Sequence, residues 1–230
     1  MECGWWTGRV NDDMTLLAAY GALDSAAVSD ALDGLDLPPG LGGIGPVWGN
    51  RKVVGFAAPV ELAPGAPGTS GAHIATSAVD AGGPDDVLVI AAGGRTDVSC
   101  WGGLLSLGAS LRGVRGVVAD GACRDVGEAR EAGFPVYARA TTPVTARGRL
   151  HQVSSGGPVR VGPATVAQGD IVLADETGVA FVPRARGHEV LRDARALARR
   201  ERAIAEELRG GASLSDAMRD ARLAGTEEQR

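Results

Sequence analysis

The feature that most constrains this chain is an alternation of short apolar runs with helical segments between residues 87 and 138. Val87-Leu88-Val89-Ile90 is a buried-looking run that ends in Gly93-Gly94. Gly116-Val117-Val118-Ala119 is a second, ending in Asp120-Gly121, and Phe134 to Ala138 is a third. Between the first two, Leu104, Leu107, Leu111 and Val114 recur at three, four and three, which is a helical stripe. Residues Asp125 to Ala132 make a second helix between the last two. Strands joined through helices at this spacing run parallel, so the segment predicts βαβ units.

The flanks read differently. Met14 to Leu35 predicts two short helices, the first with Leu16, Leu17, Tyr20 and Leu23 on one face. The second carries Val28, Ala31, Leu32 and Leu35, with Ser25 as its N-cap. Leu37 to Asn50 holds three prolines and five glycines and is a loop. A strand follows over Val53 to Leu62, then a Pro/Gly loop from Pro64 to Gly71 and a helix near Ala72 to Ala81. After Pro143, short strands over Leu150 to Val161, Gly169 to Ala174 and Gly178 to Val182 are joined by Gly/Asp turns, which predicts antiparallel pairing. A long helix from about Arg186 to Leu208 ends at Gly210-Gly211, and a last helix begins after Ser213. No internal repeat or low-complexity linker interrupts the chain. One α/β domain over 1–230 is expected, with a mixed sheet: a helical segment 1–36, a core 37–183 and C-terminal helices 184–230.

Composition narrows the chemistry. At 230 residues the chain can bury a core without disulfides or metals. No 18-residue apolar run is present, so no membrane span is expected. The net charge of −5 gives no global attraction for polyanions. The Arg-rich stretch from Arg184 to Arg209 is interrupted by Glu189, Asp193, Glu201, Glu206 and Glu207, and reads as a solvated helix face and not a nucleic-acid surface. The opening MECGWWTGRVNDD has neither a basic nor an apolar signal region, so a cytoplasmic location is expected. Three cysteines, Cys3, Cys100 and Cys123, form no CxxC pair. Of 23 basic residues only Lys52 is a lysine, leaving 22 arginines. Schiff-base chemistry would have to use Lys52.

Two strand ends could carry chemistry, because sites in α/β sheets lie beyond the carboxyl ends of strands. Gly93-Gly94 is followed by Trp101-Gly102-Gly103-Leu104-Leu105, where adjacent glycines open a helix. Free amides there favour an anion such as a carboxylate or phosphate, although the glycines could equally serve turn and packing alone. The second end is Asp120-Gly121-Ala122-Cys123-Arg124-Asp125. Arg124 offers a bidentate fork for a carboxylate, and the aspartates offer oxygen ligands for a hard cation. Asp125 is also placed as an ordinary N-cap. His73, His151 and His188 show no metal-ligand spacing and read as surface or capping residues, so any metal would be Mg²⁺ or Mn²⁺ and not zinc. No GxSxG, Walker A or GxGxxG pattern is present. Glu201 falls on the apolar stripe Val190, Ala194, Leu197, Ile204, Leu208, where a carboxylate needs an ion pair or a neighbouring subunit's site.

VSDALDGL, Asp85-Asp86-Val87-Leu88-Val89, Trp101-Gly102-Gly103-Leu104-Leu105, GVVADGACRD and GFPVYARATTPV together resemble the family of ribonuclease E activity regulator A. That family also contains the class II 4-hydroxy-4-methyl-2-oxoglutarate/4-carboxy-4-hydroxy-2-oxoadipate aldolases. The resemblance runs from about Ala26 to Leu208. It implies a swivelling β/β/α domain, assembled as a homotrimer or hexamer with sites between subunits. It implies that Gly102, Gly103, Leu104, Leu105 and Arg124 hold a 2-oxo acid, that Asp125 binds Mg²⁺ or Mn²⁺, and that Arg124, Asp125 and Glu201 are catalytic. The implied reaction is lyase chemistry through a metal-stabilised enolate: retro-aldol cleavage of a 4-hydroxy-2-oxo diacid, or oxaloacetate decarboxylation. One departure stands out. Lyase members carry an acid where this chain has Gly103, so Asp97, Asp120 or Glu201 would have to replace it. Otherwise the chain is a non-lyase member, such as a ribonuclease-binding regulator or an enzyme for another enolisable acid. Glu128 keeps an acidic residue that often follows the Arg-Asp pair, and Cys123 reads as a small buried residue.

Overall fold

A computed structural model describes residues 4–65 and 73–219, with side chains from residue 13 onward. The loop expected over Pro64 to Gly71 lies largely outside the described residues. Helices α1 (Gly4–Gly21) and α2 (Ser25–Asp33) lead through β1 (Gly45–Pro46) into β2 (Val53–Pro64), α3 (Thr76–Ala81) and β3 (Asp86–Trp101). Then follow α4 (Gly103–Leu111), β4 (Gly116–Cys123), α5 (Val126–Glu131) and β5 (Val136–Thr141). The antiparallel part comprises β6 (Leu150–Ser155), β7 (Val159–Val161), β8 (Ala164–Val166), β9 (Ile171–Ala174) and β10 (Val179–Val182). It is followed by α6 (Gly187–Arg209) and α7 (Leu214–Ala217).

The sheet order is β1-β5-β4-β3-β2-β9-β10, with β6 also pairing β2. Strands β2, β3, β4 and β5 run parallel, whereas β9, β10, β6 and β1 pair antiparallel. This is the mixed sheet of a swivelling β/β/α domain. The run Val87 to Ile90 shows why it is apolar throughout. Leu88 and Ile90 pack with Val79, Leu105, Ala109 and Phe134 under α3–α5, while Val87 and Val89 pack on the other face with Val159, Val161 and Val166 of the β7–β8 ribbon. A two-residue period with both faces covered needs apolar residues at every position. A third cluster joins α1, α2 and α6 to β9 and β10 through Leu17, Tyr20, Leu32, Leu173 and Val190. The Tyr20 hydroxyl donates to the Gly187 carbonyl at 2.7 Å.

Three expectations are corrected. The cap of α2 is Asp24, whose side chain accepts from the Ala27 amide, while Ser25 is turned to Asp175. Strand β3 does not end at Gly93-Gly94. Both glycines have positive φ (64° and 73°), and past them the pairing with β4 shifts register on either side of Arg95 and again before Trp101, where the strand ends. Finally, the leucines of the expected stripe face outward, while Val114, past the end of α4, is buried. Leu104 and Leu111 are 81% and 80% exposed, while Leu105, Ser106 and Ala109 face the core. Helix α4 is apolar on two sides, so its periodicity did not fix which side is buried.

Candidate active site

Each of the four parallel strands delivers residues to one pocket from its carboxyl end. His73 and Ile74 follow β2, Ser99 and Trp101 end β3 and run on into Gly102 to Leu105, Arg124 and Asp125 follow β4, and Thr145 and Ala146 follow β5. The pocket is small, about 60 Å³, room for a few waters or a short organic acid. The structure thus brings Gly102, Gly103, Leu104, Leu105, Arg124 and Asp125 together.

The turn into α4 is locked from behind. Buried Trp101 donates through Nε1 to the Ser106 hydroxyl at 2.8 Å, and Ser106 donates to the Gly102 carbonyl. Trp101 also stacks on Phe134 with ring centroids 6.0 Å apart. Gly102 is the N-cap and has no side chain to satisfy the first helical amides. The Gly103 amide is taken by Asp125 Oδ2 at 3.1 Å, and the first intrahelical bond of this turn runs from the Ser106 amide to the Gly102 carbonyl. The amides of Leu104 and Leu105 stand at the positive end of the helix, where a negative charge is favoured.

Asp125 holds a left-handed backbone (φ 57°, ψ 41°), and although it sits at the N-cap of α5 its side chain makes no capping bond there. Such a conformation costs about 1–2 kcal/mol for a residue with a Cβ. The carboxylate is instead aimed across at α4 and at Arg124 Nε, 3.0 Å away. Arg124 lines the pocket with Asp125 and is 39% exposed.

Position 103 explains itself once Glu128 is considered. A Cβ built on Gly103 would stand 1.9 Å from Glu128 Oε2 and 2.8 Å from Glu128 Cβ. The carboxylate of Glu128 therefore occupies the room that a side chain at 103 would take. Asp97 and Asp120 do not line the pocket: Asp97 pairs with Arg95, and buried Asp120 pairs with Arg139. Glu201 is exposed on the half of α6 beyond Leu197, away from the pocket lining, and has no ion pair among the described residues. Gly93 and Gly94 are likewise outside it, with Gly94 against Arg139. Sequence reasoning missed His73, Ser99 and Thr145, because they come from the loop after β2, the end of β3 and the loop after β5 and share no local spacing.

Both described cysteines are inert. Burial, with Ala122 and Cys123 around it, pushes the Cys100 thiol up to about 12, and burial pushes Cys123 up to about 11. Lys52 donates to the Gly21 and Leu23 carbonyls and lines no part of the pocket. Among the described residues no three His, Cys, Asp or Glu side chains converge as a metal cage. The Asp125 carboxylate lines the pocket, and that of Glu128 stands against Gly103 outside the lining. No described helix is long and apolar enough to cross a membrane.

The four parallel strands of the mixed sheet thus end at a small pocket lined by a glycine-rich helix entry and an Arg-Asp pair. A sequence profile described as "RraA-like: Aldolase/RraA" matches residues 25–181, and the chain belongs to that family. It is 30% identical to Protein DlpA of Legionella pneumophila over 86% of this chain, but spans only 32% of that protein's length. It is 29% identical to a protein of Halalkalibacterium halodurans named "Putative 4-hydroxy-4-methyl-2-oxoglutarate aldolase", covering 85% of this chain and 91% of that one. Among solved structures, Streptomyces coelicolor RraAS2, described as an unusual member of the RNase ES inhibitor RraA protein family, superposes with TM-score 0.77 at 27% identity, over 84% of this chain and 98% of that one.

Proposed function

We propose that the chain is a divalent-metal-dependent lyase acting on a 2-oxo diacid, by retro-aldol cleavage of 4-hydroxy-4-methyl-2-oxoglutarate-type substrates, by oxaloacetate decarboxylation, or by both. The observation that carries this reading is the convergence of two unlike charge patterns in one small pocket. Backbone amides and the Arg124 guanidinium suit an anion, and the Asp125 carboxylate lines the same pocket, with Glu128 against Gly103 just outside the lining.

Asp125 would hold Mg²⁺ or Mn²⁺. Magnesium is commonly bound by one or two carboxylates and keeps other positions for water and substrate, so one carboxylate in the lining fits it. When bound, the cation would supply the Lewis-acid charge that a 2-oxo group needs as electrons flow into it. The chain's own residues do the rest. The Leu104 and Leu105 amides and the Arg124 fork bind the substrate carboxylate and fix the 2-oxo group. Gly102 and Gly103 let the ligand approach the backbone. Glu128 would take the proton of the 4-hydroxyl as the C3–C4 bond breaks, and then return it to C3 of the enolate. In decarboxylation only the return step is needed, because carbon dioxide leaves with the broken bond. The named aldolase relative supports this substrate class.

The reading includes self-assembly as a homotrimer or hexamer. The outward Leu104, Leu107 and Leu111 stripe begins at the pocket mouth, and a second copy seated there would close the mouth and exclude water. Glu201 enters the site only if it comes from that copy. The test is pyruvate release from oxaloacetate, abolished by chelator and restored by Mn²⁺. No turnover of oxaloacetate or of 4-hydroxy-4-methyl-2-oxoglutarate with excess Mg²⁺ sinks the proposal.

A second reading, a ribonuclease-binding regulator, is favoured by the likeness to the RNase ES inhibitor relative. It expects affinity for a ribonuclease that does not change when Asp125 is substituted.

A further inference from the structure

The lyase reading leaves half of its substrate without a partner. A 2-oxo diacid carries a second carboxylate, and the α4 amides and Arg124 account for only the first. Arg124 is moreover already neutralised in part by Asp125. The remaining polar side chains of the lining are His73, Ser99 and Thr145. They reach the pocket from the ends of β2, β3 and from the loop after β5, whereas Arg124 comes from the end of β4. Among the described residues of the lining, His73 is the one other group able to carry a positive charge.

Its ring is held in a useful orientation. His73 Nδ1 lies 3.1 Å from the Ile74 carbonyl, which can only accept, so Nδ1 is the donor of that contact. Nε2 is then the ring atom left for a ligand, and it donates to a carboxylate in the imidazolium form of the ring. The His73 carbonyl is fixed in turn by the Thr76 hydroxyl at 2.8 Å, which ties the residue to the first turn of α3. The loop carrying Thr145 is bound to β3 by the Ser99 amide donating to the Val144 carbonyl at 2.9 Å. Ser99 itself is 3% exposed.

We infer that His73, assisted by the Ser99 and Thr145 hydroxyls, forms a distal subsite that recognises the second carboxylate and so makes the protein select 2-oxo diacids over 2-oxo monoacids. This rests on the lyase reading for the placement of the first carboxylate, but its own claim is selectivity. His73 is a specificity residue and takes no part in breaking the bond.

The experiment compares wild type, His73→Ala and His73→Gln in the presence of Mg²⁺, with pyruvate as monoacid and 2-oxoglutarate as stable diacid. Binding is followed through the fluorescence of Trp101 at the pocket wall, and KM and kcat are measured for oxaloacetate. His73→Ala should weaken 2-oxoglutarate binding and raise the KM for oxaloacetate about tenfold, the scale of one hydrogen bond to a charged group. Pyruvate affinity and kcat should stay within about twofold. His73→Gln, which keeps a donor, should recover part of the loss. Equal weakening of both acids, or no change for the diacid, overturns the inference. If wild type turns over no oxaloacetate yet prefers the diacid through His73, the lyase reading fails while the subsite stands. A wild type that binds neither acid overturns both.

Discussion

Two aspartates five residues apart leave the same strand and end in different environments. Asp120 lies within β4, its side chain 4% exposed and paired with Arg139, which lies beside Gly94. Asp125 lies just past the strand end, 30% exposed, on a left-handed backbone and aimed at the entry of α4. Both have an arginine partner, so pairing alone does not distinguish them. The difference is in what each gives up. Asp120 is closed off and fully committed to Arg139, which is how a buried charge is tolerated. Asp125 accepts backbone strain to keep a carboxylate at a pocket, and strain of that kind is retained only where the surroundings impose it.

Removing the charge at each position separates the two roles. Asp125→Asn keeps the shape and suits a left-handed backbone, since Asn is enriched there. We expect kcat/KM for oxaloacetate to fall about a thousandfold, or about 4 kcal/mol, with the urea unfolding midpoint nearly unchanged. Asp120→Asn should do the reverse. It leaves Arg139 unpaired beside a buried position, and we expect a loss of about 3 kcal/mol in unfolding free energy, with kcat of the folded enzyme preserved. If Asp120→Asn abolishes turnover in a fully folded protein, the contrast drawn here is wrong.

Position 103 gives a smaller effect that sharpens the Asp125 side of the comparison. Restoring an acid by Gly103→Asp alone should not raise activity, because its Cβ meets Glu128 Cβ at 2.8 Å as well as the carboxylate. Forcing both into the space should destabilise the protein by about 1–3 kcal/mol. The paired change Gly103→Asp with Glu128→Gly empties the space and should recover most of the wild-type turnover. Glu128→Gln alone should lower kcat about a hundredfold if this carboxylate moves the proton. A Gly103→Asp single variant as stable and as active as wild type would show that the two acids do not compete for one place.

The sequence disclosed the elements better than their partners. The continuous run Val87 to Ile90 and its repeat at Gly116 to Ala119 announced parallel strands, because only a sheet covered on both faces needs every residue apolar. Arg124 and Asp125 were legible because they follow such a strand directly. Side chain direction was not. Asp24 and Ser25 are adjacent and both suited to capping, and only the distant Asp175 decides that Ser25 turns away. The α4 stripe was visible as a period but not as an outside, since Leu105 and Ala109 supply a second apolar side. Glu128 could be read as an acid following Asp125. That it stands over Gly103 depends on how α4 and α5 pack, which no spacing within either helix contains.

The smallest effect concerns the Ser25–Asp175 contact, far from the pocket. Burial alone would raise the Asp175 carboxyl, but the Ser25 hydroxyl and amide, both at 2.7 Å, and the Thr177 amide at 3.0 Å oppose it and hold the group below the ordinary aspartate range. A carboxyl lowered in the folded state stabilises the fold above the unfolded value of about 3.9 and loses that contribution as pH falls through the lower folded value. Ser25→Ala removes one of these donors and should cost about 1 kcal/mol near neutral pH. The gap from wild type should close as the pH drops below about 4, because protonation removes the charge the hydroxyl was serving. Urea unfolding of both proteins at neutral and acid pH measures this directly. A gap that stays constant across that range would mean that Ser25 acts through packing on α2 and not through the carboxylate.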